Sequence, residues 1–342
     1  MKVVGEGIRF SSRDLTGYVA CDHLTALEFQ VARGNLSRPK PWDPSLEALW
    51  ERGFRHEQEF IDHLAGEGLA IVTVDGVDVD DAAIEATREA MATGADVIVQ
   101  AALRSGDWIG RSDVLRRVED PSALGAWSYE VYDTKLSRDT KSATILQLCL
   151  YSEMLADMQG AKPERMHVVA PWTDFTPQSF RVAEYSAYYR RVRAGLENSI
   201  ATTDVATTYP HPTAHCDICA WRGDCTARRR ADDHLSLVAG ISSLQIAEFK
   251  SNSIETVAAL AAMPLPMPWA PARGSRQSFE RVREQARIQV ESRNAGSLLF
   301  ETLPIVVGFG LAALPEPSAA DIYLDFEGDS FVGEHGQEYL LG

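Results

Sequence analysis

The chain predicts an α/β fold, a mixed sheet flanked by helices, followed by a small helical module. Three observations predict it. Apolar residues recur at helical spacing through 45–66, and the period changes to that of a strand at Asp96. Two strand-like runs, 96–103 and 108–115, are separated by Ser105, Gly106 and Asp107, the composition of a hairpin turn. Strands and helices then alternate through residue 198, as a sheet covered by helices requires.

The elements follow in order. Residues 24–33 and 45–66 read as helices; in the second, Leu46, Leu49, Trp50, Gly53 and Phe54 recur at three and four, with His56 just beyond. Residues 81–92, rich in Ala and Glu, are a helix. Strand 96–103 pairs with strand 108–115, and 127–135 is a third strand. Residues 142–156 form a strongly apolar helix, 166–170 a fourth strand and 185–198 a Tyr-rich helix. Residues 235–262 read as two short helices joined by a turn. The prolines of 263–271 mark a linker, 277–293 is a basic helix, and a last strand falls in 321–329. The expected organisation is a domain over 1–232, a helical module over 233–300, a linker over 301–319, and over 320–342 the start of a further domain that continues past Gly342.

At 342 residues the chain is long enough for two or three domains. Its net charge of −16 argues against a general nucleic-acid binder, whose footprint is basic. The distribution tempers this. Acids concentrate in 75–89, whereas Arg104, Arg111, Arg116, Arg117, Lys135, Arg138 and Lys141 are expected around the candidate site, and an acidic protein can hold a basic groove. No apolar run is long enough to span a bilayer and the N-terminus lacks the apolar stretch of a signal peptide. The expectation is a cytoplasmic protein without a membrane partner. In that compartment cysteines serve as metal ligands more often than as disulfides.

The chemistry-bearing residues fall on strand ends. Asp133 and Lys135, two apart on a strand, project to one face. Asp113 lies on the preceding strand, close enough to share a metal with Asp133, and the backbone carbonyl of Thr134 would complete the shell. Hard oxygen ligands with a lysine beside them are what divalent-metal phosphodiester hydrolysis needs. Lys135 would orient water and neutralise the transition state. Taken singly, each residue has an ordinary explanation: Asp-x-Lys is a same-face ion pair, and Asp113 a surface acid. Order and spacing together carry the weight. Cys216, Cys219 and Cys225 form a tight run, with Cys21 almost two hundred residues upstream. Thiolates at such spacing can converge on one metal or cluster, the remote fourth tying together the ends of a domain. Cys149, inside the apolar helix, reads as a buried small hydrophobe.

Gly110 to Asp113, Tyr129 to Lys135, and Gln147 with Tyr151 resemble the PD-(D/E)XK nuclease superfamily, and more narrowly its RecB-like nucleases. The resemblance implies a restriction-endonuclease-like core. It implies that His56, three residues after Gly53, is a Mg²⁺ or Mn²⁺ ligand with Asp113 and Asp133. It further implies that Gln147 and Tyr151, on one helix face, contact the nucleic-acid substrate. Cys21, Cys216, Cys219 and Cys225 match the iron–sulfur branch of that family, which includes AddB-type and CRISPR-adaptation nucleases, where four cysteines hold a [4Fe–4S] cluster. Zinc stays open, held by four cysteines or by three with His211 or His215. Residues 235–262 resemble a helix-hairpin-helix element. Asp325 and Glu327 resemble the first strand of a ribonuclease H-like exonuclease of the DEDD kind, a second site left truncated at Gly342. The resemblance as a whole implies a DNA nuclease, an exonuclease on single strands or ends, joined to a downstream ribonuclease H-like or helicase region. RNA as substrate, and a non-catalytic nucleic-acid-binding module, are the alternatives.

Overall fold

The computed structural model describes residues 1–5, 7–40, 44–200, 202–329 and 337–341. The fold is mixed α/β. The chain divides into two compact units, Met1–Tyr209 with Phe326–Leu341, and Pro210–Asp325. The division falls ahead of residue 232 because the segment after Pro210 bonds within its own unit. Arg229 donates to the Pro210 carbonyl at 3.3 Å, and the His234 N–H to the Arg229 carbonyl at 3.0 Å.

The first unit opens with a small antiparallel pair, β1 (Lys2–Val4) and β2 (Gly7–Arg9), then helices α1 (Ser12–Ala20), α2 (Asp22–Ala32) and α3 (Pro44–Gly66). Strand β3 (Ile71–Thr73) and helix α4 (Asp81–Ala92) follow. Strands β4 (Val97–Ser105), β5 (Trp108–Val118) and β6 (Ser128–Thr134) come next, then helix α5 (Ser142–Gln159), β7 (Arg165–Val169), β8 (Gln178–Arg181) and helix α6 (Val182–Ile200). Six strands form one mixed sheet in the order β3-β4-β5-β6-β7-β8. The β4–β5–β6 meander is antiparallel; β6 and β7, joined through α5, are parallel.

Local chemistry sets the elements. Ser105 pairs with Trp108, which leaves Gly106 and Asp107 as a two-residue turn with Gly106 at φ +54°, the left-handed backbone that favours glycine in hairpins. Helix α4 is capped by Asp80, which accepts the Ala83 N–H at 2.9 Å. Helix α5 ends at Gly160 in the left-handed region. Strand alternation gives the sheet two apolar faces. Ile98, Leu115, Val131, Met166 and Val168 belong to the core that α5 completes. Val97, Val99, Val114, Tyr132 and Val169 lie on the other face, under Phe60 and Leu64 of α3. Each of those two α3 side chains stabilises the unit by roughly 1.5–3 kcal/mol through burial. Helix α5 is mostly buried, between the sheet and helices α1 and α6, which explains its largely apolar sequence.

Sequence reading places β4, β5, β6, α4 and α5 within a few residues of their observed bounds. It misses β1, β2, β3, β8 and α1. The strands are three or four residues long, too short to show a period. Helix α1 is set by its cap, where Ser11 and Asp14 bond reciprocally, rather than by an apolar stripe.

The second unit holds helices α7 (Arg222–Ala231), α8 (Ser243–Ser251), α9 (Val257–Ala262) and α10 (Arg276–Ala295). Its separate core is built from Leu235, Val238, Phe249, Val257, Leu260, Met263, Met267, Phe279, Val282 and Ala286. The two helices expected in 235–262 and the one at 277–293 are present. Helix α7 is almost entirely polar and was not expected. Residues 301–319 have one short helical turn, Gly310–Ala313. Strands β9 (Asp325–Asp329) and β10 (Gln337–Leu341) pair with each other. Of the segment expected to begin a further domain, residues 330–336 and 342 lie outside the described residues. No helix among the described residues is long and apolar enough to cross a membrane.

Candidate active site

The register of β5 and β6 brings the two acids together. Val114 opposes Tyr132, so one step further Asp113 stands against Asp133. On the other side of β5 the ladder with β4 is interrupted at the same level. Pairs run on both sides of Gln100, which itself adopts φ +54°. A non-glycine residue held there is costly and is found where function imposes it. Asp133 is fully buried. Its Oδ2 lies 2.5 Å from Lys135 Nζ, and its Oδ1 accepts from Gln147 Nε2 at 3.1 Å. Asp113 Oδ2 accepts both the N–H and the hydroxyl of Thr134, at 2.8 and 3.0 Å. Thr134 thus orients Asp113, a role that sequence reading did not assign.

His56 reaches the same strand end from α3. The Val169 carbonyl accepts the Lys135 N–H at 3.0 Å and the His56 Nε2–H at 3.0 Å. A carbonyl only accepts, so Nε2 carries the proton and Nδ1 presents its lone pair. Nδ1 is buried and has no hydrogen-bond partner among the described residues. Phe175, itself at φ +57°, stacks over the rings of His56 and His63. Gln147 also donates to the Tyr151 hydroxyl at 3.4 Å, and that hydroxyl lies 3.1 Å from Ser12 Oγ. Tyr151 is buried and Gln147 half-buried, so within this relay Gln147 is the more open of the two.

Two groups at the site escaped sequence reading. Glu57 follows His56, and Gln100 donates to its carboxylate. Burial and the neighbouring Asp113 push the Glu57 carboxyl above its ordinary range. Neither residue belongs to a recognisable spacing; only the approach of α3 to the kinked β4 brings them in. The expected ring of arginines is a correction. Arg111 is spent on the carbonyls of Val74, Asp75, Asp78 and Gln100. Arg104 pairs with Asp81 and Arg116 with Glu67, and Arg117 stacks on Trp127. Placed on β4 (Arg104) and β5 (Arg111, Arg116 and Arg117), they are taken up by these partners before they could line a groove. Arg138 and Lys141, on the loop after Lys135, are exposed.

The electrostatics invite a cation. Burial, and then Asp113, push the Asp133 carboxyl up to about 7. Burial alone would lower Lys135, but Asp133 and Asp113 outweigh it and hold the ammonium above its usual value. Three carboxyl groups face one lysine, and the buried Nδ1 lone pair of His56 is added to them. Such a donor set suits a divalent cation that takes oxygen with some nitrogen. Asp113, Asp133, His56 and the Thr134 carbonyl would hold it. Among the described residues, no three His, Cys, Asp or Glu side chains already converge at ligand distance; Lys135 Nζ sits on Asp133 Oδ2, where a cation would draw.

The cysteines were also located. Cys21 caps α2, its Sγ accepting the Leu24 N–H at 3.4 Å. Cys216 Sγ accepts the Thr213 N–H at 3.4 Å, and Cys225 lies in the first turn of α7. All four are half-buried. Backbone N–H groups thus point at the sulfurs of both Cys21 and Cys216. Cys149 is buried beside Met166, and burial pushes its thiol up to about 12, as befits a packing residue. Asp325 and Glu327 both lie on β9 and are exposed. No known family model matches the chain, and no curated protein matches it.

Proposed function

We propose that the chain is a divalent-metal-dependent DNA nuclease on a RecB-like PD-(D/E)XK core, hydrolysing phosphodiester bonds of single-stranded DNA or DNA ends. The observation that carries the reading is the placement of Asp113, Asp133 and Lys135 together at the end of β6, with His56 held at the same strand end by the Val169 carbonyl. Mg²⁺ or Mn²⁺ would supply an activated water and a charge to set against the phosphate. The protein's own residues do the rest. Lys135, held charged by the two aspartates, is a poor general base at neutral pH; it serves as the fixed cation that stabilises charge developing on the phosphate. Gln147, bonded to Asp133 and Tyr151, holds that carboxylate in orientation. Thr134 does the same for Asp113.

Lys135→Ala and Asp113→Ala are expected to lower Mn²⁺-dependent cleavage of single-stranded DNA by at least about a hundredfold, with the circular-dichroism melt of the folded chain retained. Full cleavage in both variants would overturn the site. The four outlying cysteines support a structural [4Fe–4S] cluster on the same reading. Protein purified without oxygen should be brown, with about four irons per chain, and Cys216→Ala should lose both colour and stability. A colourless protein with one zinc would reassign the thiols to zinc and leave the nuclease reading to stand on the carboxylates.

A further inference from the structure

Helix α3 changes character along its length. Its buried side chains are His56, Phe60 and Leu64, all in the second half. The first half buries nothing, yet it carries Leu49, Trp50 and Phe54, which are 42%, 65% and 73% exposed. Exposed large aromatics on a helix need an occupant or a reason. Trp50 and Phe54 are four apart and Glu57 three further on, so the three share one stripe of the helix. Glu57 is the carboxylate that lies within electrostatic reach of Asp113 and Lys135. The stripe therefore starts on two open rings and ends at the candidate site.

We infer that Trp50 and Phe54 form a stacking platform that guides single-stranded DNA into the site. The inference rests on the nuclease reading above and deepens it by naming the route and form of the substrate. Continuity decides the occupant: whatever lies on these rings is led along α3 to the carboxylates, and the polymer cleaved there is the ligand that fits. The span also fits. Seven helical residues rise about 10 Å, the length of about three nucleotides at roughly 3.4 Å each. Aromatic rings stack on any unpaired base regardless of sequence, whereas a duplex offers them only its terminal pair. The phosphates of the strand would face Arg138 and Lys141 of the loop after Lys135, both of them exposed.

The test uses the full chain in two backgrounds. In Lys135→Ala, which separates binding from cleavage, fluorescence anisotropy is read with a labelled oligo-dT 20-mer. Adding Trp50→Ala with Phe54→Ala should weaken binding by about tenfold per ring. Trp50→Tyr should restore most of it, and a blunt duplex should bind about equally well with and without the rings. In the wild-type background, the double alanine variant should raise KM on single strands and leave kcat near its starting value. Both side chains are exposed, so the thermal melt should not move. Wild-type cleavage with unchanged binding and KM in the double variant would overturn the platform and leave the nuclease standing. Loss of oligonucleotide binding in the double variant, with no cleavage by the wild type, would keep the platform and overturn the nuclease. If the double alanine variant instead dissolves an oligomer and binds DNA as before, the face belongs to a second copy of the chain and the inference fails.

Discussion

Strand β6 carries two buried acids three residues apart, on opposite faces of the sheet, and their surroundings could hardly differ more. Glu130 is fully satisfied: Oε1 accepts the Arg165 N–H at 2.7 Å and Oε2 lies 2.8 Å from His167 Nε2, whose ring stacks on Tyr132. Asp133 is more deeply buried but less well served. Its Oδ2 has the Lys135 ammonium and no well-directed hydrogen bond, its neighbour Asp113 is another carboxylate, and its carboxyl is pushed up to about 7. A buried acid with all its bonds made holds a fold together; one left short of bonds and crowded by like charge costs stability and is kept for another purpose. The Asp-x-Lys spacing alone does not distinguish these cases. On β9, the spacing Asp325-x-Glu327 sits on an exposed strand with none of this environment.

The sharpest way to break the comparison is to substitute both acids. Asp133→Asn keeps the shape and the bond from Gln147 and removes a buried negative charge beside Asp113. It should abolish metal-dependent cleavage and raise the melting temperature of the metal-free protein at pH 8 by several degrees. Glu130→Ala strands His167 and the Arg165 N–H and should cost about 3 kcal/mol, with kcat kept in the protein that remains folded. Differential scanning calorimetry beside a cleavage assay reads both. If Asp133→Asn destabilised as much as Glu130→Ala, the two acids would be structural alike.

A second contrast lies between the units, in their response to acid. In the second unit His234 is buried, and Lys250 Nζ donates to its Nε2 at 3.0 Å. Burial, then Lys250, His211 and Arg229, push the imidazole down to about 4 against the opposing pull of Asp232. The sign follows from linkage. As pH falls below the ordinary histidine value of about 6.5 the unfolded chain takes up a proton that the folded unit refuses until about 4. This group therefore costs no stability above pH 7 and progressively more between pH 6.5 and 4. Urea midpoints read on the second unit should fall across that window, and His234→Gln should flatten the fall. An unchanged slope in the variant would place the acid sensitivity elsewhere.

How much of this was legible beforehand follows from where each signal resides. The hairpin of β4 and β5, strand β6 and helix α5 announce themselves locally, by period and by the turn at Gly106. Asp113, Asp133, Lys135 and Gln147 came with them, because register and helix face are set by spacing. Glu57, Gln100, Phe175 and Ser12 could not be read, since each acquires its role only when distant elements approach. The arginines of β5 were misjudged for a related reason: sequence shows where a charge is and not which carbonyl or carboxylate will claim it. The rings of α3 announce a helix by their spacing, but only the structure shows that Trp50 and Phe54 are exposed on it.

The smallest expected effect tests the outer edge of the site. Tyr151 is buried, burial pushes its hydroxyl up to about 12, and it bonds Ser12 and Gln147 without touching an acid. It acts on Asp133 only through Gln147. Tyr151→Phe removes a neutral hydroxyl with its two hydrogen bonds, each worth about 1 kcal/mol, and leaves the ring packed against Gly110, where even an added Cβ would overlap it. The expected result is a fall in kcat of a few-fold with KM unchanged, whereas Gly110→Ala, which crowds the ring itself, should lower stability by about 1–3 kcal/mol. A loss in Tyr151→Phe as large as that in Lys135→Ala, or one confined to KM, would mean that the hydroxyl meets the substrate directly, and Tyr151 would move from a positioning residue to a binding one.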